Sequence, residues 1–138
     1  FREAWIWLTN IFKPRRLKGY ATVVTDVGEQ WIVDKLDESV STKAQWVAWG
    51  TGAGTAAEAD TTLFTEASEA RVSGTESQPS ADTYRVVATI TADGAKTITN
   101  AGTLTASAAG TLVVHGDFTG IVLALGDKIE FTVNIQVT

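Results

Sequence analysis

Residues 127–138 read DKIEFTVNIQVT and carry the clearest structural pattern in the chain. Apolar side chains occupy every second position from Ile129 to Val137, and polar residues from Lys128 to Gln136 fill the positions between them. A β-strand sends alternate side chains to opposite faces, so this stretch predicts a long strand with one apolar and one polar face. Such a strand belongs to an antiparallel sheet that covers a core with its apolar side.

Shorter β-like runs recur along the rest of the chain. They lie at residues 20–25, 44–49, 69–73, 75–78, 84–91, 96–100, 104–107, 111–115 and 118–123. Turn residues separate them at intervals of roughly 8–12 positions, which favours a mainly β fold, an antiparallel β-sandwich of jelly-roll or immunoglobulin-like type. The dipeptide Asp93-Gly94 predicts a tight hairpin that returns the strand at 84–91 to an antiparallel partner at 96–100.

One helix is expected within this mainly β chain, at residues 27–40. Apolar residues recur there at helical spacing, and Asp26 precedes Glu29 by three positions, which is typical of a capped helix start. The predicted buried stripe of this helix consists of Trp31, Ile32, Leu36 and Val40.

The composition is that of an ordinary globular domain. The chain has 138 residues, of which 44% are hydrophobic and 20% charged, enough for one domain with a real core. It contains no cysteine and a single histidine, His115, so disulfides and thiolate sites are excluded and a transition-metal site is disfavoured. We therefore expect no metal and no cofactor.

Two sequence features each contain part of a known catalytic or phosphate-binding motif but lack the remaining residues of that motif. His115 and Asp117 would share a strand face, yet no nucleophile elbow accompanies them, so we expect no enzymatic activity. The glycine-rich stretch at 50–54 lacks the Lys-Ser/Thr and the following helix of a phosphate loop. We interpret it as a tight turn with positive φ angles.

Charge divides the chain into two parts. Residues 1–20 hold five basic residues against Glu3 alone, a net charge of +4, whereas residues 21–138 hold six basic and fifteen acidic residues, a net charge of −9. We therefore distinguish an extended aromatic and basic arm, residues 1–20, from a β-sandwich domain, residues 21–138, which includes the helix. Because the sequence starts at Phe1 and has no methionine, we expect further residues upstream.

The arm combines the residue types that are enriched at binding hot spots. Its predicted partner-binding residues are Trp5, Trp7, Ile11, Phe12, Arg15, Arg16 and Lys18. The first four would insert into a neighbouring subunit, and the three cations would pair with an acidic surface. Packing of the arm on its own domain is one alternative, and an interfacial membrane anchor is another.

Acids in the loops of the domain offer a docking surface for such an arm. They are Glu58, Asp60, Glu66, Glu69 and Glu76. Their spacing is not that of a calcium loop, so we expect a solvated surface. The acidic body disfavours contact with nucleic acid, and the apolar run in the arm is too short to span a bilayer. We expect neither a nucleic acid nor a membrane as a partner.

Two blocks of the sequence are similar to a group of small structural proteins of tailed bacteriophages. The first block reads WVAWGTGAGT at residues 46–55 and DTTLFTE at residues 60–66, and it resembles an apolar strand, a Gly-Thr-Gly turn and a Thr-x-Leu-x-x-Glu anchor. The second block reads TITNAGTL at 97–104, GTLVVH at 110–115 and GDKIEFTV at 126–133. Relatives usually carry an acid and then Gly-Leu-Phe where this chain has NAGTL.

The resemblance implies a non-enzymatic virion component that decorates capsids or belongs to tails and fibres. We expect a capsid decoration, or cement, protein in the virion that clamps neighbouring subunits through its arm. Its partners would be the major capsid protein or other virion subunits, and it would form homo-oligomers, with trimers favoured because capsid lattices offer three-fold sites. The alternative is a tail or fibre component that binds a host surface glycan or protein through an aromatic platform such as Trp46 or Trp49. A peripheral membrane protein that uses the arm is a third hypothesis.

Overall fold

The computed structural model describes residues 3–11 and 21–137, and for residues 3–11 and Ala21 it describes the backbone alone. These residues form nine strands and one helix, which confirms the predicted mainly β architecture. In chain order the elements are β1 (Glu3–Ile11), β2 (Ala21–Val24), α1 (Asp26–Leu36), β3 (Trp46–Gly50), β4 (Val72–Ser73), β5 (Thr75–Ser80), β6 (Thr83–Thr91), β7 (Lys96–Leu104), β8 (Leu112–Leu123) and β9 (Lys128–Gln136).

The strands form two sheets that enclose a common core. The four-stranded sheet has the order β1-β9-β6-β5, and the five-stranded sheet has the order β2-β8-β7-β3-β4. All pairs are antiparallel except β1 and β9, which run parallel with Glu3 opposite Lys128 and Ile11 opposite Gln136. The arrangement is consistent with the predicted β-sandwich.

The apolar face of β9 lies at the centre of this core. Ile129, Phe131 and Val133 are almost completely buried, and Ile135 is buried close to the strand end. The Phe131 ring packs edge-on against the ring of Trp49 from the opposite sheet, with centroids 6.1 Å apart. The predicted apolar face is therefore confirmed.

The other face of β9 is less exposed than its polar sequence indicates. Thr132 and Asn134 are buried, although both lie on the face opposite to the core. Asn134 accepts a hydrogen bond from Arg85 Nε of the neighbouring β6 at 2.9 Å. The polar positions of this strand therefore serve internal contacts as well as solvent.

Thr25 caps the start of α1 and fixes it to the five-stranded sheet. Its Oγ1 accepts a hydrogen bond from the Gly28 amide at 2.9 Å and donates one to the Leu112 carbonyl of β8. The cap therefore lies one residue before the predicted position. The helix ends at Leu36, four residues earlier than predicted, and Glu38 then adopts a left-handed φ of 62°.

The residues that the helix buries against the sandwich differ from those of the predicted buried stripe. Gly28 is its one fully buried residue, and Trp31 and Ile32 are only half-buried. Leu36 is 81% exposed, so its predicted burial is wrong. A Cβ at position 28 would lie 2.6 Å from the Val113 carbonyl oxygen, so the close approach to β8 depends on a glycine in the first turn.

The predicted hairpin at Asp93-Gly94 is wrong, because β6 and β7 belong to different sheets. The end of β6 is tied instead to the β8–β9 turn. Ala92 donates its amide to the Asp127 carbonyl at 2.8 Å and accepts from the Gly126 amide at 2.9 Å. The dipeptide forms a corner that carries the chain from one layer to the other.

One continuous strand, β8, replaces the two strands predicted at 111–115 and 118–123. It continues through both internal glycines, Gly116 and Gly120. Its first half pairs with β2 and its whole length pairs along β7. The glycines therefore lie within the sheet and do not end strands.

We expect Gly28→Ala to destabilise the fold by about 1–3 kcal/mol, because its methyl group would collide with the backbone of β8. Gly94→Ala is the matched control, since nothing lies within 4 Å of a Cβ there and the residue needs no positive φ. Chemical denaturation of the two variants beside the parent protein measures the difference. Equal midpoints for the two variants would contradict the proposed helix contact.

Candidate functional site

A groove opens between α1 and the end of the four-stranded sheet. Its volume is about 710 Å³, within the range of roughly 300–1,000 Å³ that is typical of ligand pockets. The residues that matter most for its chemistry are Trp31, Ile32, Lys35, Glu76, Tyr84 and Ile135. It is the strongest candidate for a binding site in the part of the chain that the structure describes.

Two aromatic side chains line the groove and are held by their polar ends. Trp31 Nε1 donates to Thr42 Oγ1 at 2.9 Å. The Tyr84 hydroxyl donates to Glu76 Oε1 at 2.8 Å, and burial together with this carboxylate raises the pKa of Tyr84. Because both polar ends have partners, the rings are fixed and contribute apolar surface.

Charged groups lie beside this apolar surface. Lys43 Nζ lies 2.9 Å from Glu76 Oε2. Partial burial acts to raise the pKa of Glu76, but the hydrogen bonds from Lys43 and Tyr84 outweigh it, and the pKa lies below its usual value. Lys35 of α1 adds a second cation to the lining.

Asp82 adds a second carboxylate at the β5–β6 turn. Hydrogen bonds from Ser80, Gln136 and Thr83 lower its pKa to about 2. Both acids of the groove are therefore ionised at neutral pH. The groove combines an apolar floor with charges of both signs, which suits a ligand that has apolar faces and polar edges.

The apolar surface of the groove continues onto the exposed side of α1. Ile32 lines the groove, and Leu36 lies one helical turn later on the same face. Leu36 and Val33 are 81% and 57% exposed, and Val137, which also lines the groove, is 61% exposed. This concentration of exposed apolar side chains is typical of an interaction surface.

His115 forms a second polar cluster, deep in the five-stranded sheet. Its ring is fully buried, with Nδ1 2.7 Å from Asp60 Oδ2 and Nε2 3.2 Å from Asn100 Oδ1. Asp117, the predicted partner, instead accepts from the Ala56 amide at 2.7 Å. Burial lowers the pKa of His115, although the Asp60 carboxylate opposes this shift.

Asn100 connects this cluster to the loop that follows β3. Its Oδ1 accepts from the Phe64 amide at 3.1 Å, and its Nδ2 donates to the Phe64 carbonyl at 3.0 Å. The Phe64 ring packs on the His115 ring with centroids 4.6 Å apart. The cluster therefore holds the loop on the sheet, and a buried imidazole enclosed in this way does not face a substrate.

The glycines of residues 50–54, at the end of β3 and just after it, serve the same attachment. Among the described residues, only Gly110 and Gly126 are glycines with positive φ, so the prediction of positive φ at 50–54 is wrong. A Cβ on Gly50 would lie 2.3 Å from the Phe64 carbonyl oxygen. These glycines therefore allow a close approach of two backbone segments.

Four of the five loop acids have fixed partners. Glu66 pairs with Arg71, Glu69 with Lys96 and Glu76 with Lys43. Asp60 contacts His115, which is a cation only when it is protonated. Glu69 also accepts from Trp49 Nε1 at 2.9 Å. The expected solvated surface is therefore wrong for Asp60 and Glu69, which serve the internal structure. Among the described residues, no group of three or more potential ligands is arranged to hold a metal ion.

The predicted arm residues fall into two groups. Trp5, Trp7 and Ile11 belong to β1, where their backbones lie opposite Glu130, Thr132 and Gln136 of β9. Phe12, Arg15, Arg16 and Lys18 lie outside the described residues. Their contact with a neighbouring subunit stays a prediction.

Neither of the two predicted aromatic platforms belongs to the groove. Trp49 is 1% exposed and belongs to the core, so it cannot serve as a platform. Trp46 is half-buried and packs beside a smaller apolar cluster that contains Leu63. Sequence reasoning assigned Trp31 and Tyr84 to buried faces, although the position of Tyr84 at a strand end, beside a turn, is a signal for a rim residue.

Comparison with known proteins adds no relative. No protein-family model, curated protein or solved structure matches the chain. Within residues 3–11 and 21–137, no helix has the length and apolar character that crossing a bilayer requires. The fold and the groove therefore define the protein as a β-sandwich with a candidate binding surface at one end.

We expect the stability of the protein to fall as the pH drops from 7.5 to 5.5, because His115 resists protonation in its buried site. The unfolded chain then binds a proton, with a pKa of about 6.5, that the folded ring takes up only at lower pH. Stability from this residue is complete above the unfolded pKa and is lost as the pH falls below it. His115→Gln should flatten this dependence in chemical denaturation.

NMR titration of the ring checks the same prediction directly, because the chain has one histidine. We expect a midpoint below that of histidine in an unfolded peptide. A midpoint above it would mean that the Asp60 carboxylate outweighs burial.

Proposed function

We propose that this protein is a structural component of a tailed-bacteriophage particle, a capsid decoration protein that clamps neighbouring subunits through its arm. Its partners would be the major capsid protein or other virion subunits, and it would act in the virion as a homo-oligomer, with a trimer favoured. The observation that carries the proposal is the position of β1. Among the described strands, the first part of the arm is the outermost one of the four-stranded sheet, and an outermost strand has a side on which another chain can pair.

Charge supports a clamping role for the segment that follows β1. Residues 12–20 contain four basic residues and no acid, whereas residues 21–138 carry a net charge of −9. A cationic segment beside an acidic body can bridge two acidic surfaces that would otherwise repel each other. Repeated acidic subunits that lie side by side in a particle need a bridge of this kind.

The two blocks of sequence that resemble phage structural proteins meet in space. Asn100 of the second block binds Phe64 of the first, and His115 of the second packs on the same Phe64 ring. The two blocks therefore meet where a loop is attached to a sheet. Their contact supports the idea that they form one structural unit, although Asn100 lies where the chain departs from its relatives.

We expect Arg15→Gln with Arg16→Gln to reduce binding to particles that lack this protein by about tenfold or more, as loss of hot-spot arginines does. The matched control is Lys35→Gln with Lys43→Gln, which removes the same charge from the body. Cosedimentation with particles measures both. Deletion of residues 1–18 is a poorer test, since it also removes β1 from the sheet.

Equal binding by the two double variants and the parent protein would contradict the clamp. The number of copies per particle tests the location independently. A decoration protein is expected in hundreds of copies, on the order of the major capsid protein, whereas a dozen or fewer would favour a tail or neck position.

The groove favours a second candidate function, a tail or fibre component that binds a host surface glycan or protein. Trp31 and Tyr84 offer fixed aromatic surface, and Lys35, Glu76 and Asp82 offer polar edges. Sugars present apolar ring faces and hydroxyl edges, which match this combination. The third hypothesis, a peripheral membrane protein, has no comparable support among the described residues.

We expect Trp31→Ala to reduce binding of host surface polysaccharide by about tenfold or more and Trp31→Phe to keep part of it, because the aromatic face carries the contact. Leu125→Ala is the control, since Leu125 is 74% exposed in the turn at the opposite end of β9. Isothermal titration calorimetry with the polysaccharide measures the affinity of each variant. Equal affinities of the alanine variant and the control would contradict a role for the groove.

A further inference from the structure

We infer that the exposed apolar end of α1 is a docking surface for a segment of a partner protein that carries both apolar and cationic side chains. The α1 surface consists of Val33 and Leu36 on the helix, together with Ile32 and Val137 at the adjoining groove. The inference goes beyond the proposed function, because it concerns the body of the domain and uses none of the predicted arm residues.

The helix carries more apolar surface than the sandwich covers. It approaches β8 most closely at Gly28 in its first turn, and Trp31 and Ile32 are half-buried against the core. Val33 and Leu36 follow in the last turn and are largely exposed. Helix residues three and four positions apart are neighbours, so Leu36 lies beside both Ile32 and Val33. The apolar surface therefore continues from the groove onto the outer side of the helix.

Carboxylates flank this apolar surface. Residues 26–38 contain five acids against a single base, Lys35, a net charge of −4. Glu29 and Asp37 lie four positions before and four positions after Val33, so they bracket it along one side of the helix. Within residues 3–11 and 21–137, neither of these two acids forms an ion pair. The charge beside the exposed apolar side chains is therefore negative and has no cation to balance it.

Two further features add to the negative potential. The surface lies at the C-terminal end of α1, where the backbone carbonyls of a helix carry a partial negative charge. Asp82, across the groove, is ionised at neutral pH, and the groups that donate to it belong to the neutral residues Ser80, Thr83 and Gln136. A cation that docks here therefore meets carboxylates on both sides of the groove.

Charge distinguishes among the partners that an apolar surface can have. The same surface of a second copy would bring like charges together, and anionic lipid headgroups would be repelled as well. A protein segment with Lys or Arg beside its apolar side chains would pair with the carboxylates while it covers Val33 and Leu36. The adjoining groove of about 710 Å³ has room for apolar side chains of this segment. We therefore assign the surface to a cationic amphipathic segment of another protein.

A synthetic amphipathic peptide of leucine and lysine is the probe, and the same peptide with glutamate in place of lysine is its control. Isothermal titration calorimetry with the full chain measures both. We expect the lysine peptide to bind about tenfold or more tightly than the glutamate peptide. Its affinity should fall as salt is added, because the carboxylates that select it are exposed.

Two double variants locate the binding site of the lysine peptide. Val33→Ser with Leu36→Ser removes the apolar side chains of the α1 surface, and Val122→Ser with Leu125→Ser removes the same residue types from exposed positions near the β8–β9 turn. We expect the first pair to weaken binding by about tenfold or more and the second to leave it unchanged. Thermal unfolding checks that both variants are folded.

A single charge variant tests the carboxylates separately. Glu29→Gln should weaken binding of the lysine peptide by about threefold and make its salt dependence shallower, because one exposed charge contact is lost. Glu130→Gln is the matched control, since it removes the same charge from the middle of β9, away from the helix.

Equal affinities of the two serine variants, or equal binding of the lysine and glutamate peptides, would overturn the inference. A parent protein with twice the mass of one chain that the Val33→Ser, Leu36→Ser variant returns to a monomer would assign the surface to a second copy instead. Flotation with lipid vesicles that this variant alone loses would assign it to a membrane. None of these results changes particle binding by the arginine variants, so the proposed function is tested separately.

Discussion

Burial of the apolar face of β9 between the two sheets is the constraint on which the rest of the structure depends. Phe131 contacts Trp49 from β3 and Phe118 from β8, so one side chain joins strands of the opposite sheet. A shift of β9 by one residue would exchange its two faces and place Lys128 and Glu130 in the core. The register of β9 therefore fixes that of its two neighbours, β6 and β1.

The parts of the fold that local patterns control could be predicted from sequence. The alternation at 127–138 predicted the central strand and its buried face, and the helical spacing predicted the existence of α1. The predictions failed where contacts between residues far apart in the sequence determine the local structure. Leu36 follows the helical period but remains exposed, because no sheet lies beneath it. Asp93-Gly94 has the composition of a hairpin turn but lies at a corner where the chain passes from one sheet to the other.

The candidate site depends almost completely on such distant contacts. His115 and Asp60 are brought together by the loop after β3, and no spacing between them identifies the pair. The groove combines side chains from α1, the β5–β6 turn and the end of β9, which are adjacent only after both sheets have formed. The charge asymmetry of the arm, in contrast, is a property of composition and is visible before folding. The sequence therefore predicts a partner surface on the arm, which stays a prediction, whereas tertiary structure determines where the groove lies.

The parallel pairing of β1 with β9 also sets an order of events during synthesis. Glu3 leaves the ribosome long before its partner Lys128, and at about 5–20 residues per second β1 waits roughly 6–25 s for its site. During this delay the nascent strand has no native pairing within its own chain. Chains that grow side by side on one messenger RNA therefore present unpaired first strands close to newly completed β9 edges.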